Sequence, residues 1–202
     1  MSLARQHQGV SVEEYLRNEE RAERKHEYLN GEVWAMVGAT DNHVTVAGNL
    51  FVQLRQVLKP GDCRSYISGM KLHVQSADAY FYPDVMVCCD PADRENRLAK
   101  EHPVFIAEVL SSSTEAFDRG RKFSIYRQID SLRHYWLIDT ERRSVDAFTR
   151  AGNGEWRLRG YSPGDDQVKI DALDCRIAMA TLFEGIEPDE ITDANETEGD
   201  AE

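Results

Sequence analysis

The sequence predicts an α/β domain of the mixed, α+β kind, with helices packed on a mixed sheet and a hairpin near its N-terminus. Three observations carry this expectation. Residues 104–110 (Val-Phe-Ile-Ala-Glu-Val-Leu) form a continuous apolar run of the type buried on both faces of a sheet. A helical pattern follows at once, from about Thr114 to Ile129, and then a second strand-like run from His134 to Asp139. Strand, helix and strand in succession, flanked by shorter strand runs, describe a mixed sheet with helices laid on it.

The other elements follow in order. Ser11 is an N-cap, with Glu14 three residues on as a capping box, and a charged helix is expected to about Lys25. In the segment from His26 to Val37, Asn30-Gly31 separates two strand-like runs and signals a hairpin. Thr40 or Asp41 caps the next helix, whose apolar positions are Val44, Ala47, Leu50, Phe51, Leu54 and Leu58. Residues 63–89 read as strands: Lys71 to Gln75 alternates, and Tyr80 to Cys89 is more continuously apolar. Pro91 to His102 reads as a charged loop. After Asp139, strands are expected at Ser144–Thr149 and Trp156–Tyr161, turned by Gly152-Asn153-Gly154.

With 202 residues, the chain is long enough for one domain with a substantial core. No apolar run approaches the roughly 20 residues needed to span a bilayer. The polar start from Met1 to Gly9 has no apolar signal region, and a cytoplasmic location is the expectation. Cys63, Cys88, Cys89 and Cys175 show no metal-ligand spacing and read as free, buried thiols, with Cys88 and Cys89 facing opposite sides of a strand. The net charge of −12 is uneven. From Glu187 onward there are eight acidic residues and no Lys or Arg; without them 24 basic residues face 28 acidic ones, a balance of −4. Residues 1–186 therefore read as the domain, and 187–202 as an acidic, disordered tail. Charge alone neither supports nor excludes a nucleic-acid partner.

Two carboxylates stand where carboxylates are costly. Asp84 lies inside Tyr80–Cys88 and Glu108 inside Val104–Leu110. An ionised carboxylate in a buried strand must be protonated, paired with a cation or bound to a metal. Two of them on neighbouring strands suit Mg²⁺, which takes a few carboxylate oxygens plus waters. The bland alternative is that each sits at a strand end in water, and Pro83 favours an edge or bulge beside Asp84. Lys122 adds weight to the metal reading. At about 100° per residue counted from Thr114, Ile125, Ile129 and Tyr126 fall near ~20°, ~60° and ~120°, with Lys122 near ~80° in their midst and Asp118 near ~40°. Arg119, Arg121 and Arg127 flank or oppose that stripe. Lys122 either pairs with Asp118 at i,i+4 or reaches Glu108, which the preceding strand carries beneath the helix.

These residues resemble a known family. Pro83-Asp84, Glu108-Val109-Leu110-Ser111, Asp118 with Lys122, Tyr126, and Tyr135-Trp136-Leu137-Ile138-Asp139 are similar to the Uma2 family, of the PD-(D/E)XK or restriction-endonuclease-like superfamily. Glu27-Tyr28-Leu29-Asn30-Gly31-Glu32-Val33, with His43 opening the next helix, fits as well. The resemblance runs from about Ser11 to Phe183 and implies a restriction-endonuclease-like core. The superfamily pattern places a lysine two residues after the glutamate, where this chain has Leu110. In Uma2-like sequences that lysine has moved to the following helix, and Lys122 matches it.

The resemblance implies a divalent-metal-dependent endonuclease that hydrolyses nucleic acid, DNA before RNA. Asp84, Glu108 and the backbone carbonyl of Val109 would hold Mg²⁺ or Mn²⁺. Lys122 would orient or activate the attacking water and stabilise developing charge. Glu27 is either a further carboxylate of the site or a solvated hairpin residue. Asp118 reads as a partner of Lys122, and His43 and His73 as weaker candidates. Tyr126, Tyr135 and Trp136 read as core. The alternatives are a catalytically inactive nuclease-fold module that binds or regulates, favoured by Leu110, and an interaction protein acting through its acidic tail. A homodimer is compatible with either nuclease-fold reading.

Overall fold

The computed structural model describes residues 9–58 and 63–187, so the acidic tail lies outside the described residues except for Glu187. Helix α1 (Val12–Glu19) starts as expected, the Ser11 hydroxyl accepting from the Glu14 N–H. It stops six residues short of Lys25. Beyond Leu16 the segment offers only Ala22 as an apolar side chain, so it has little to bury. The Glu19 carboxylate instead closes the reversal, accepting from the His26 N–H at 2.9 Å and the Tyr82 hydroxyl at 2.8 Å.

Strands β1 (His26–Leu29) and β2 (Glu32–Ala35) form the expected hairpin, with Leu29 opposite Glu32. Asn30 (φ 48°) and Gly31 (φ 88°) both take the left-handed conformation that a two-residue hairpin turn requires. Helix α2 (Asp41–Val57) is capped by Thr40, whose hydroxyl accepts from the His43 N–H. Its inward face is Val46, Ala47, Leu50 and Leu54, whereas Val44, expected inside, is 58% exposed. The helix is rolled toward the C-terminal segment, where Asn42 donates to the Glu187 carbonyl and Gln53 accepts from the Ala178 N–H.

Strands β3 (Arg64–Ile67), β4 (Lys71–Val74), β5 (Ala79–Phe81) and β6 (Val85–Cys88) follow. The apolar run Tyr80–Cys89 is therefore two strands, not one. Residues 82–84 break it at Pro83 and carry the chain from one sheet to another. The segment expected as a charged loop instead holds a short helix α3 (Ala92–Glu95) and strand β7 (Ala99–Lys100), with Asp93 and Lys100 buried. After β8 (Pro103–Val109), the single helix expected over 114–129 is three pieces: α4 (Glu115–Phe117), a π-helical turn (Asp118–Lys122) and α5 (Phe123–Tyr126). Then come β9 (His134–Asp139), β10 (Ser144–Arg150) and β11 (Trp156–Tyr161). A hairpin of β12 (Gln167–Ile170) and β13 (Cys175–Ala178), with helix α6 (Met179–Leu182), was not foreseen from the sequence.

The central sheet has six strands in the order β11-β10-β9-β8-β6-β3, antiparallel except for the β8–β9 pair. Its neighbours on β9, Tyr135 and Trp136, point into opposite cores. One core lies under α2, α6 and β12–β13; the other lies under α4–α5 and a five-stranded sheet ordered β2-β1-β5-β4-β7. The expectation of four free thiols is corrected. Cys63 and Cys89 form a disulfide, because the β3–β6 register that sets Arg64 against Cys88 brings the next two residues together. Cys88 and Cys175 remain free and buried, and Cys88 and Cys89 do face opposite cores. No helix among the described residues is long and apolar enough to cross a membrane.

Candidate active site

The two sheets meet at residues 82–84, and the candidate residues converge there. β6 pairs with β8 so that Val85 faces Ala107, which sets Asp84 beside Glu108. The Asp84 N–H donates to Glu108 Oε2 at 3.2 Å, and the Val109 N–H donates to Asp84 Oδ2 at 2.8 Å. From the other sheet, β1 presents Glu27, whose Oε1 accepts from the Tyr82 N–H at 3.3 Å and whose Oε2 accepts from the Trp34 indole at 3.3 Å.

Lys122 enters from the π-helical turn. Its Nζ lies 3.2 Å from Glu27, 3.2 Å from Glu108 and 3.3 Å from Asp118. The wheel drawn for a regular α-helix therefore picked the inward residues correctly although the helix is not regular: Asp118, Lys122, Ile125, Tyr126 and Ile129 are all buried. A π turn widens the coil by one residue, and such turns concentrate at functional sites. Both readings of Lys122, the pair with Asp118 and the reach to Glu108, hold together.

His43, at the start of α2, places Nε2 3.0 Å from Asp84 Oδ1. His73 does not join the site. It pairs with Glu101 at 2.8 Å and stacks on Tyr80. Two contributors were missed. The Tyr126 hydroxyl donates to Glu108 Oε1 at 2.9 Å, and Tyr135 donates to the Asp118 carbonyl at 3.1 Å. Their positions next to Ile125 and on a buried strand hid the hydroxyls behind an apolar pattern. Trp136 lies in the opposite core, as expected. Glu27, left open as a hairpin residue or site carboxylate, is only 5% exposed and belongs to the cluster.

The charge of the cluster is unbalanced. Glu27, Asp84, Glu108 and Asp118 surround one lysine and one histidine. Burial, together with Asp84, Asp118 and Glu27, pushes the Glu108 carboxyl well above its ordinary range, against the pull of Lys122. Burial works against the Lys122 ammonium, but Glu108, Glu27 and Asp118 outweigh it and hold the proton on. His43 is raised as well: burial opposes its charge, and the hydrogen bond to Asp84 overcomes it. The cluster thus draws in positive charge. Asp118 Oδ1, though near Nζ, receives no directed hydrogen bond, so acceptor capacity is left over. Among the described residues, no three His, Cys, Asp or Glu side chains converge as a ready-made metal cage. Mg²⁺ does not need one, since it keeps several waters and takes one or two carboxylates. Asp84 and Glu108, hard oxygen donors side by side, fit such an ion.

A mixed sheet carrying two adjacent carboxylates at a strand break, with a lysine brought to them from the following helix, defines a nuclease-like α/β fold. The chain belongs to the Uma2 family, whose description is "Putative restriction endonuclease", and the match spans residues 12–180. Two uncharacterized proteins of Synechocystis sp. are similar. One is 34% identical over 177 residues, covering 88% of this chain and 93% of the relative. The other is 36% identical over 151 residues, covering 74% and 85%. The crystal structure of a "putative nuclease belonging to DUF820" from Anabaena variabilis superposes with a TM-score of 0.70 at 16% identity, over 86% of this chain and 97% of that one. At that identity the likeness speaks for the fold.

Proposed function

We propose that this protein is a divalent-metal-dependent endonuclease that hydrolyses phosphodiester bonds, DNA being its substrate. The observation that carries the reading is Lys122 within 3.3 Å of three carboxylates, one of them Glu108, whose neighbour Asp84 lies at the same strand break. Membership of a family whose description is "Putative restriction endonuclease" supports it.

Asp84 and Glu108 would hold Mg²⁺ or Mn²⁺, and the Val109 carbonyl is the adjacent backbone donor. The ion supplies Lewis acidity toward the phosphate and a more acidic bound water. The chain's own groups do the rest. Lys122 keeps its proton among the carboxylates, so it acts as a cation and a donor, orienting the attacking water and offsetting charge that develops on the phosphate. Glu27 and Asp118 fix the ammonium from two sides. Tyr126 shares Glu108 Oε1 with Lys122 and leaves Oε2 facing Asp84. His43 holds Asp84 Oδ1.

A second reading is a nuclease-fold module that binds or regulates without cutting. Leu110 at the usual lysine position favours it, and so do the internal partners that all four oxygens of Asp84 and Glu108 have. Cleavage of plasmid DNA with Mn²⁺ separates the two. The enzyme reading expects cleavage by the wild type, and loss in both Asp84→Ala and Lys122→Ala. Wild-type protein that leaves the plasmid intact at millimolar Mn²⁺ would leave the binding module standing.

A further inference from the structure

Strand β2 is the outermost strand of its sheet, and among the described residues no strand pairs with its outer side. The register fixes which backbone groups face outward. Leu29 opposes Glu32 across the two-residue turn, so Glu32 and Trp34 exchange hydrogen bonds with β1, and the Met36 N–H continues the series by donating to the Lys25 carbonyl at 2.9 Å. The N–H and C=O groups of Val33 and Ala35 point away from the sheet, and by alternation those of Val37 do too.

Exposed edges are usually protected by charge, proline or a bulge. Residues 33–37 (Val-Trp-Ala-Met-Val) have neither charge nor proline. Val33 is 39% exposed and Val37 67%, and Ala35 between them is exposed as well. The one charged residue of β2, Glu32, lies 3.7 Å from Arg121 of its own chain, so the strand's end presents a balanced pair rather than a free charge.

We propose that β2 is a homodimer contact, two copies pairing antiparallel about Ala35 to join their five-stranded sheets. The occupant is a second copy because the segment complements itself in this register. Val33 falls opposite Val37 of the second copy, Ala35 opposite Ala35, and Trp34 opposite Met36. No two like charges are opposed, and about six ladder hydrogen bonds satisfy the outward groups. The contact bears on the site, since the Trp34 indole that holds Glu27 sits in the paired strand. The two β1 strands lie three strand spacings apart, roughly 14 Å, with both Glu27 side chains on the same side of the joined sheet.

Light scattering on the full chain after size exclusion tests this. The wild type is expected at twice 23.0 kDa at tens of micromolar. Val33→Lys with Val37→Lys sets lysines against lysines and is expected as a monomer with unchanged circular dichroism. Val33→Lys with Val37→Glu sets opposite charges at both contacts and is expected to dimerise again. In the otherwise wild-type chain, Ala35→Cys is expected to cross-link to a dimer under mild oxidant, because directly opposed strand residues lie within disulfide reach. A monomeric wild type, a double-lysine variant that stays dimeric, a charge-swapped variant that stays monomeric, or an Ala35→Cys chain that does not cross-link would each overturn the proposal. None of these readings depends on nuclease activity.

Discussion

Among the described residues two lysines are buried, and the fold treats them differently. Lys100, 3% exposed, donates to the backbone carbonyls of Asp93 and Asn96 and lies over the ring of Tyr66. The nearby Asp93 carboxylate is occupied elsewhere, accepting from the Glu101 N–H at 2.8 Å and the His102 N–H at 3.0 Å. Lys122, 7% exposed, is instead ringed by the carboxylates of Glu27, Glu108 and Asp118. Neutral carbonyls are enough to bury an ammonium. Gathering more negative charge than one lysine offsets adds a desolvation cost that the fold does not require. Such an excess points to a site that acts on charge rather than one that only holds a loop.

The largest expected contrast comes from removing each lysine. Lys122→Ala is expected to lower Mn²⁺-dependent cleavage by about 100-fold or more, since a preorganised donor at developing charge contributes on that order. Lys100→Ala is expected to leave cleavage per folded molecule unchanged. It should lower stability by roughly 2–3 kcal/mol in urea unfolding, because the carbonyls it served are left buried. Lys100→Ala losing activity without losing stability would erase the distinction.

A third buried base sharpens the comparison. His134 is neutral: its Nδ1–H donates to the Thr149 hydroxyl and its Nε2 accepts from the Ala172 N–H. Burial pulls its pKa down to about 4, with Asp171 a partial offset. The unfolded chain therefore binds the proton first, and stability falls as the pH drops from about 6.5 toward 4, by up to roughly 3 kcal/mol. His134→Gln should flatten that acid limb in thermal melts across this range.

Glu108 acts in the opposite direction. Its folded pKa lies above its unfolded one, so its contribution is complete below the ordinary carboxylate range and is lost as pH rises through the folded value. Glu108→Gln is expected to remove this decline of the melting temperature with rising pH while abolishing cleavage. An unchanged pH profile in that variant would place the excess charge elsewhere. The smallest effect expected is from Tyr126→Phe, which deletes one donor to Glu108 and should weaken Mn²⁺ binding about 5-fold, near 1 kcal/mol.

Asp84, Glu108 and Lys122 were legible in the sequence because each violates a local pattern, an acid in an apolar strand-like run or a cation on an apolar helical stripe, although Asp84 lies half-buried in the break before β6 rather than inside a strand. Glu27 and His43 were not decided, because what makes them part of the site is non-local. Glu27 sits on a strand of the other sheet, and His43 reaches Asp84 only through the packing of α2. The Cys63–Cys89 bond was misread for the same reason, since only the β3–β6 register opposes residues 26 apart. The buried loop around Asp93 and Lys100 looked solvated because its charges are answered by backbone groups, which composition does not reveal. The hairpin β12–β13 was missed because its strands are four residues each and exposed polar residues interrupt them, Gln167 and Lys169 in β12 and Arg176 in β13.

The excess negative charge around Lys122 is the centre of the account, and Mn²⁺ titration calorimetry tests it most directly. The account expects binding by the wild type and by Lys100→Ala, and its loss in Glu108→Gln. No binding by the wild type at millimolar Mn²⁺, or equal binding by Glu108→Gln, would contradict it.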